Sequence, residues 1–170
     1  MRRVAVMGAS GNGKSTLSRA LAERLDVPYI ELDALHHGPN WAAPDLEDFR
    51  RRVGEAAAGD GWVIDGNYDR KLGEIVTGRA DTIVWLDQPL GLILPRLWRR
   101  TYSRWRTQEE LWNGNRESFR AAFLGRESLF VWTLRSHFRH RRQAPARLEG
   151  RNLVRLRSPD EVERFLASAS

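Results

Sequence analysis

The sequence predicts an α/β fold in which a parallel β-sheet is flanked by helices. Apolar runs typical of buried parallel strands alternate with segments whose apolar residues recur at helical spacing. A glycine-rich segment from Gly8 to Ser15 joins the first such strand to the first such helix. At 170 residues the chain has the length of one domain, and we treat 1–170 as a single unit.

The strands are predicted from short apolar runs that end at turn or polar residues. Pro28 ends the first helix and opens the second strand, because proline cannot continue a helix. The five predicted strands are Arg3–Met7, Tyr29–Leu32, Trp62–Ile64, Ala80–Leu86 and Asn152–Leu156.

The helices are predicted from apolar stripes between these strands. Asp45 is expected to cap the second helix. Pro95 lies inside the third stripe, so we expect a kink there or a later helix start. The predicted helices cover Leu17–Leu25, Leu46–Ala57, Leu90–Trp105, Phe130–Phe138 and a last segment after Pro159.

The segment between the first strand and the first helix matches the P-loop (Walker A) pattern of Gly, any four residues, Gly, Lys and Ser or Thr. Its glycines let backbone N–H groups turn towards a phosphate. Lys14 adds a positive charge, and Ser15 offers a hydroxyl to Mg²⁺. The alternative is a glycine-rich turn that ends in Lys-Ser by chance, but the following helix start favours phosphate binding. The predicted ATP-binding residues are Gly8, Ser10, Gly11, Asn12, Gly13, Lys14, Ser15 and Thr16.

Aspartates follow the predicted strands, at the edge of a parallel sheet where ligands bind. Asp65 comes directly after the third strand, and we expect it to hold Mg²⁺ through water together with Ser15. The alternative for Asp65 is a structural turn before Gly66. Asp33 ends the second strand and is placed for chemistry.

His36 and His37 lie in a predicted loop from Ala34 to Pro44. Adjacent histidines suggest a metal site, but their side chains point in different directions and no carboxylate stands at ligand spacing. Substrate contact and loop packing are the alternatives to metal binding.

The composition places limits on the class of protein. Without cysteine, disulfides and thiolate metal sites are excluded. The apolar run after Met1 breaks at Gly8, and no apolar stretch approaches the ~20 residues of a membrane helix. We therefore expect a cytoplasmic protein with no membrane partner. The formal net charge is +6, and only Lys14 and Lys71 are lysines, so the positive charge is almost all arginine.

Most of the excess positive charge falls between Arg96 and Arg142. Arginine suits bidentate phosphate binding, and Trp98, Tyr102, Trp105 and Trp112 within this segment could stack on bases. The same aromatics also fit a helix stripe that faces the core. An Asn113-Gly114-Asn115 sequence predicts a tight turn, with Asn115 capping the next helix. We interpret Arg139, Arg141 and Arg142 as a solvated helix end.

Together these features resemble the small P-loop kinases of the adenylate, shikimate and gluconate kinase type. The closer resemblance is to bacterial proteins described as adenylate-kinase-like, or as DNA topology modulation proteins of the FlaR type. It covers nearly the whole chain. The motifs that carry it are Leu32-Asp33 with Trp41, Trp62–Tyr68, Arg79–Thr82, Trp85–Asp87 and Leu111–Ser118.

The resemblance implies a P-loop NTPase three-layer sandwich, with a five-stranded sheet in the order 2-3-1-4-5 and helices on both faces. It implies a substrate-binding insert at about 36–58 and an arginine-rich lid at about 99–126. Asp65 matches a metal-holding aspartate of adenylate kinases, although the arginine that grips their substrate phosphate stands one place late, at Arg70. Arg96 and Arg100 match paired arginines that clamp the transferring phosphate, and Asp33 matches an acceptor-binding aspartate in position only.

The leading hypothesis is an ATP-dependent kinase that requires Mg²⁺ and phosphorylates a small molecule such as a nucleotide, a nucleoside or another hydroxyl compound. Its predicted catalytic residues are Lys14, Asp33, Asp65, Arg96 and Arg100. The alternative is a nucleotide-dependent regulator that binds nucleic acid through the basic segment.

Overall fold

The computed structural model of the chain describes residues 1–116 and 128–169. Within these ranges the α/β prediction is confirmed. Five parallel strands form one sheet in the order β2-β3-β1-β4-β5, as the resemblance implied. The strands are β1 (Arg3–Gly8), β2 (Tyr29–Glu31), β3 (Trp62–Asp65), β4 (Thr82–Leu86) and β5 (Leu153–Leu156).

Seven α-helices occur in the described part of the chain, together with two short 3-10 turns at Pro39–Trp41 and Trp112–Gly114. None of the helices in 1–116 and 128–169 is long and apolar enough to span a bilayer. The helices are α1 (Lys14–Leu25), α2 (Leu32–His36), α3 (Leu46–Ala56), α4 (Asp69–Leu72), α5 (Leu90–Thr107), α6 (Leu129–Arg147) and α7 (Pro159–Ser168).

The sheet has a hydrophobic layer on each face. On one face, strand residues pack with Phe49 and Val53 of α3 and with Leu148 at the end of α6. On the other face they pack with Leu17 and Leu21 of α1 and with apolar residues of α7. Most residues of β1, β3 and β4 are almost fully buried, which explains why these strands are continuous apolar runs in the sequence. The edge strands β2 and β5 are only partly buried.

The central strand positions the functional edge of the sheet. β1 lies between β3 and β4, with Val6 beside both Asp65 and Val84. Because all strands are parallel, their carboxyl ends meet at one edge, where the P-loop leaves β1. In open α/β sheets this is the edge at which ligands bind.

Several element boundaries differ from the prediction. β2 ends at Glu31, and Leu32 begins the short helix α2, because the Leu32 side chain is buried against Gly66 instead of extending the strand. The later start considered for the third predicted helix is wrong, since α5 begins at Leu90 and continues through Pro95. The helix expected after Asn115 lies outside the described residues.

Among the residues that the structure describes, three helices begin with a side chain that accepts hydrogen bonds from backbone N–H groups of the first turn. Asp45 caps α3 as predicted, since its Oδ1 accepts hydrogen bonds from the backbone N–H groups of Glu47 (2.9 Å) and Asp48 (3.3 Å). Ser158 caps α7 by accepting from the N–H of Glu161 at 3.2 Å. α6 is capped by Ser128 and extends nine residues beyond Phe138, to Arg147. Its later half is largely polar, so the apolar spacing alone did not reveal it.

Candidate active site

The P-loop occupies the turn between β1 and α1 and takes a backbone path that only glycine follows without strain. Gly8, Gly11 and Gly13 have φ angles of 147°, 83° and 84°. A Cβ at Gly8 would lie 2.6 Å from the Leu86 carbonyl oxygen, and one at Gly11 would lie 2.9 Å from that of Ile93. The glycines of the motif are therefore required by the close approach of β4 and α5.

The start of α1 has no side-chain cap. Gly13 holds the N-cap position in a left-handed conformation, and no side chain accepts a hydrogen bond from the first turn. The first N–H groups of a helix lack intrahelical partners, and the helix dipole makes this end positive. The geometry is that of an anion site, which supports the prediction that 8–16 binds phosphate.

Asn67 fixes the first glycine of the loop. Its side-chain Oδ1 accepts from the Gly8 N–H at 3.1 Å, and its Nδ2 donates to the Gly8 carbonyl. Asn67 follows β3, so this pair ties the loop after β3 to the P-loop. Sequence reasoning assigned Asn67 no role, although an amide two residues beyond the carboxyl end of β3 was a usable signal.

Lys14 begins α1 and points back into the loop. Its Nζ donates to the Ala9 carbonyl at 3.4 Å. Desolvation lowers the pKa of the Lys14 ammonium, while the nearby carboxylates of Asp65, Asp33 and Glu31 oppose that shift. A partly buried ammonium has lost some of its hydration, so a phosphate anion that reaches Lys14 would stabilise its charged form, while the nearby carboxylates would repel the anion unless a cation such as Mg²⁺ or an arginine offsets them.

Two carboxylates and two hydroxyls gather beside Lys14. Asp65 is buried, and this burial raises its pKa to about 6, against the pull of Lys14. The Tyr29 hydroxyl donates to Asp65 Oδ2 at 3.0 Å. The Ser15 hydroxyl donates to Glu31 Oε1 at 3.4 Å. Glu31 was missed in the sequence because the predicted β2 was extended to Leu32; in the structure Glu31 is the strand's last residue.

The donor set fits Mg²⁺ bound together with nucleotide phosphate. Ser15 supplies a hydroxyl, and Asp65 and Glu31 supply carboxylates that can orient metal-bound water, which are the hard oxygen ligands that Mg²⁺ prefers. Within the described residues no group of three His, Cys, Asp or Glu side chains could hold a metal ion by itself. A metal at this position would therefore depend on phosphate oxygens for part of its coordination.

Asp33 lies in α2, two residues beyond Glu31, and contacts the loop that follows β3. The Tyr68 hydroxyl donates to Asp33 Oδ1 at 2.7 Å. The Tyr68 ring also packs on His36, with ring centroids 4.6 Å apart. A ligand hydroxyl that reaches Asp33 would have to join or displace the Tyr68 hydroxyl.

The adjacent histidines make different contacts. His36 is buried between Phe49 and Tyr68, and its Nε2 lies 2.5 Å from Lys71 Nζ. Burial and the neighbouring Lys71 lower the pKa of His36 to about 4, so it is neutral at pH 7. His37 packs against Trp41 and Trp112. These contacts agree with the packing alternative, and substrate contact stays a prediction.

Arg96 and Arg100 lie one turn apart on α5 but have different surroundings. Arg96 donates to the Gln88 Oε1 at 2.7 Å, and Gln88 is buried. Arg100 lies close enough to Lys14 for its charge to lower the Lys14 pKa. Arg100 is therefore the arginine of the pair whose charge bears directly on the P-loop.

The interpretation of Arg141 as part of a solvated helix end is only partly right, because its side chain is 41% exposed but α6 continues to Arg147 and Arg141 binds a buried carboxylate. Its Nε donates to Asp87 Oδ1 at 2.6 Å, and the Asp87 side chain is only 2% exposed. Arg155 of β5 binds the other oxygen of Asp87 through two nitrogens, and its guanidinium lies 4.3 Å from the centre of the Trp85 ring. Nothing in the local sequence around Arg141 indicated this pairing, because Asp87 lies 54 residues away.

A cavity of about 260 Å³ lies beneath α6, next to the P-loop. Gly8 and Trp85 contribute to its sheet side, and His140 and Arg147 contribute from α6. Burial, followed by the charge of Lys14, lowers the pKa of His140 to about 4. Arg147 pairs with Asp69 at 3.3 Å across this space. Of these lining residues, only Gly8 was predicted from the sequence as a site residue, and Trp85 was noted only as part of a family motif.

Comparison with known proteins finds kinases among the relatives. No model of a known protein family matches the sequence. The chain is 35% identical over 98 residues to "Shikimate kinase" of Symbiobacterium thermophilum, covering 49% of this chain and 56% of that protein. It is 33% identical over 108 residues to "Putative adenylate kinase" of Thermococcus kodakarensis, covering 59% and 58%. The chain thus matches less than two thirds of the length of either curated relative.

A solved structure extends the likeness to the whole fold. The shikimate kinase from Acinetobacter baumannii, in complex with shikimate, superposes with a TM-score of 0.60 at 18% identity, covering 98% of this chain and 91% of that one. With the sheet order and the P-loop, this defines the class: the chain has the P-loop NTPase fold. Within that class it is similar to the small P-loop kinases of the shikimate and adenylate kinase type, which confirms the resemblance seen in the sequence.

Proposed function

We propose that the chain is an ATP-dependent kinase that requires Mg²⁺ and transfers the γ-phosphate to a small-molecule acceptor. The observation that carries the proposal is the grouping of an uncapped helix start, Lys14, Ser15 and the carboxylates of Asp65 and Glu31 at one edge of the sheet. Phosphoryl transfer needs charge neutralisation and alignment more than covalent chemistry, and these residues supply both.

The nucleotide side is built from the P-loop. Backbone N–H groups of the loop and of the first turn of α1 would bind the phosphates, with Lys14 between the β- and γ-phosphates. Bound Mg²⁺ would neutralise developing charge on the phosphates, with Ser15 and the water-mediated carboxylates as its protein partners. Arg100 would add positive charge from α5, where charge is spread over the transferring group.

The acceptor side would lie between α2 and the loop after β3. Asp33 would accept a hydrogen bond from the acceptor hydroxyl and orient it towards the γ-phosphate, in the place that Tyr68 now occupies. Lys71 Nζ lies 6.0 Å from the centre of the Tyr68 ring and within hydrogen-bond distance of the His36 imidazole. A nucleotide, a nucleoside or another hydroxyl compound are the acceptor classes that we propose to test.

The experiment is a screen for ADP formation that depends on an added acceptor. Purified protein with Mg-ATP is supplied with nucleotides, nucleosides, sugar acids and shikimate, one at a time. The control is Lys14→Met, which keeps the length of the side chain but removes the charge, and its fold is verified by thermal unfolding. Acceptor-stimulated ADP release that is lost in Lys14→Met supports the kinase. If wild-type protein neither binds Mg-ATP in calorimetry nor releases ADP with any acceptor, the proposal is wrong.

A further inference from the structure

Two turns distant in sequence have the same local shape and pack on each other. We call residues 37–41 the acceptor loop and residues 112–115 the WNGN turn. Each contains a 3-10 turn with an asparagine in the left-handed region, Asn40 in the first and Asn113 in the second, both with φ of 56°. Asparagine tolerates this conformation better than other non-glycine residues. The local sequence therefore favours the observed backbone conformation in each of the two turns.

Side-chain amides of the WNGN turn bind the backbone of the acceptor loop. Asn115 is only 4% exposed. Its Oδ1 accepts from the Trp41 N–H at 2.9 Å, and its Nδ2 donates to the Gly38 carbonyl at 2.9 Å. The Asn113 Nδ2 donates to the His37 carbonyl at 2.5 Å. Three backbone groups of the acceptor loop therefore depend on two asparagines that lie more than 70 residues away.

The aromatic rings of the two segments form one cluster. His37 stacks on Trp112, with centroids 5.7 Å apart and an interplanar angle of 26°. The Trp41 ring stands edge-on to both, at 5.2 Å from His37 and 6.4 Å from Trp112. Ring pairs in these geometries add attraction beyond simple burial. The hydrogen bonds and the rings thus favour the same docked arrangement.

Trp112 also reaches the phosphate side of the site. Its indole Nε1 donates to Glu31 Oε2 at 3.0 Å, while the other carboxylate oxygen, Oε1, accepts from the Ser15 hydroxyl. Arg19 lies 3.9 Å from Glu31 Oε2, but its own side chain is largely exposed, so this ion pair is weak. A continuous path of contacts therefore runs from the acceptor loop through Trp112 and Glu31 to the P-loop.

We propose that the WNGN turn is a latch for the acceptor loop and that Trp112 is a positioning residue for Glu31. When the latch is engaged, Trp112 holds one oxygen of Glu31 and turns the other towards Ser15. An engaged latch should then favour binding of Mg-ATP, and by reciprocity Mg-ATP should favour the engaged latch. The second half of this inference, the link to Mg-ATP, rests on the proposed function. The latch itself does not.

The latch is tested by hydrogen exchange, which needs no enzymatic activity. In Asn115→Ala the backbone amide of Trp41 loses its acceptor, and we expect it to exchange at least about tenfold faster than in wild-type protein. The matched control is Asn152→Ala, which removes an asparagine that binds the Asp81 carbonyl at the opposite edge of the sheet. That variant should leave exchange at Trp41 unchanged. Equal exchange at Trp41 in Asn115→Ala and wild type would overturn the latch.

The positioning role is tested by Trp112→Phe, which keeps an aromatic ring against His37 but removes the Nε1 donor. We expect the affinity for Mg-ATP, measured by calorimetry, to fall about five- to tenfold, with the affinity for ATP in EDTA unchanged. Exchange at Trp41 should stay within about twofold of wild type. Trp132→Phe, at an exposed position on α6, is the matched control. Unchanged Mg-ATP affinity in Trp112→Phe would overturn the positioning role.

The two measurements also separate this inference from the proposed function. If wild-type protein does not bind Mg-ATP, the proposed function fails, while the Trp41 exchange rates still decide whether the latch exists. If Asn115→Ala does not fold, Asn113→Ala removes the bond to the His37 carbonyl instead. Faster exchange across residues 37–41 in that variant supports the latch, and unchanged exchange contradicts it.

Discussion

Replacing Asp87 with alanine should destabilise the fold more than any exposed charge replacement. Asp87 is buried at the carboxyl end of β4 and accepts three hydrogen bonds, one from Arg141 of α6 and two from Arg155 of β5. It therefore joins the sheet to α6, the helix that lies over the P-loop cavity. Alanine would leave two guanidinium groups without their carboxylate.

The expected loss of unfolding free energy depends on how buried Asp87 and its two arginine partners are. Breaking a buried ion pair by removing one partner costs about 3–5 kcal/mol of unfolding free energy. The arginine side chains are 41% and 33% exposed, so both can regain water, and the cost should fall near the lower end. We expect about 3 kcal/mol, which lowers the melting temperature of a domain of this size by roughly 6–12 °C.

Urea unfolding followed by circular dichroism measures this loss directly. The matched control is Asp48→Ala, because Asp48 pairs with Arg51 on the exposed surface of α3 and should cost at most about 1 kcal/mol. Asp87→Asn retains an acceptor oxygen and should fall between the two. If Asp87→Ala lost no more stability than Asp48→Ala, the Asp87 network would not hold α6 to the sheet.

Three further predictions concern the site. Asp65→Asn should raise the Mg²⁺ concentration needed for half-maximal turnover. Asp33→Asn should raise the acceptor KM with nearly unchanged Mg-ATP affinity. If calorimetry and kinetics showed that Asp33→Asn weakens Mg-ATP binding and Asp65→Asn affects only the acceptor, the assigned roles would be contradicted. Arg100→Ala should lower turnover by up to ~10³-fold, as for transition-state arginines, while Arg142→Ala should leave turnover near wild type. In a nucleic-acid regulator, Arg142→Ala would instead be the variant with the larger effect, because it would weaken DNA binding. His140→Gln should lessen acid destabilisation, because the folded state lowers the His140 pKa from about 6.5 to about 4, so stability is lost as pH falls through that window. The loss of unfolding free energy between pH 7 and pH 4, measured by urea titration, should be smaller in the variant than in wild type by ~2 kcal/mol, a value that allows for the partial exposure of His140. An equal loss in both proteins would refute this.

The fold could be predicted from the sequence because the three inner strands, β1, β3 and β4, are buried on both faces. Such strands are continuous apolar runs, and the P-loop pattern fixed the junction between the first strand and the first helix. The end of β2 was placed one residue too far, because Leu32 is apolar whether it extends a strand or begins a helix. That single shift directed attention to Asp33 and away from Glu31.

Other features of the site depend on contacts between distant segments. Arg141 meets Asp87 across 54 residues, and Trp112 meets Glu31 across 81. No spacing rule relates such pairs, so an arginine in a basic segment and a tryptophan beside a turn had no predictable partner. The assignment of Lys14 and Ser15, by contrast, rested on a local motif with strict geometry. Sequence reasoning therefore identified the P-loop, Asp65 and Arg100, and missed Glu31 and Asn67, which contact the loop.

The pairing of Asn67 with Gly8 makes residue 67 unusually selective. An asparagine side chain carries a carbonyl and an amide side by side, so it can imitate a neighbouring strand and add one more rung to the ladder beyond Asp65. Aspartate has nearly the same shape but could satisfy only the N–H of Gly8. It would also place a negative charge where phosphate is expected to bind. Glutamine carries the same amide group, but its side chain is one methylene longer and would misplace both hydrogen bonds. The first glycine of the loop is thus held in place before any ligand arrives, and part of the ordering cost of binding is met during folding.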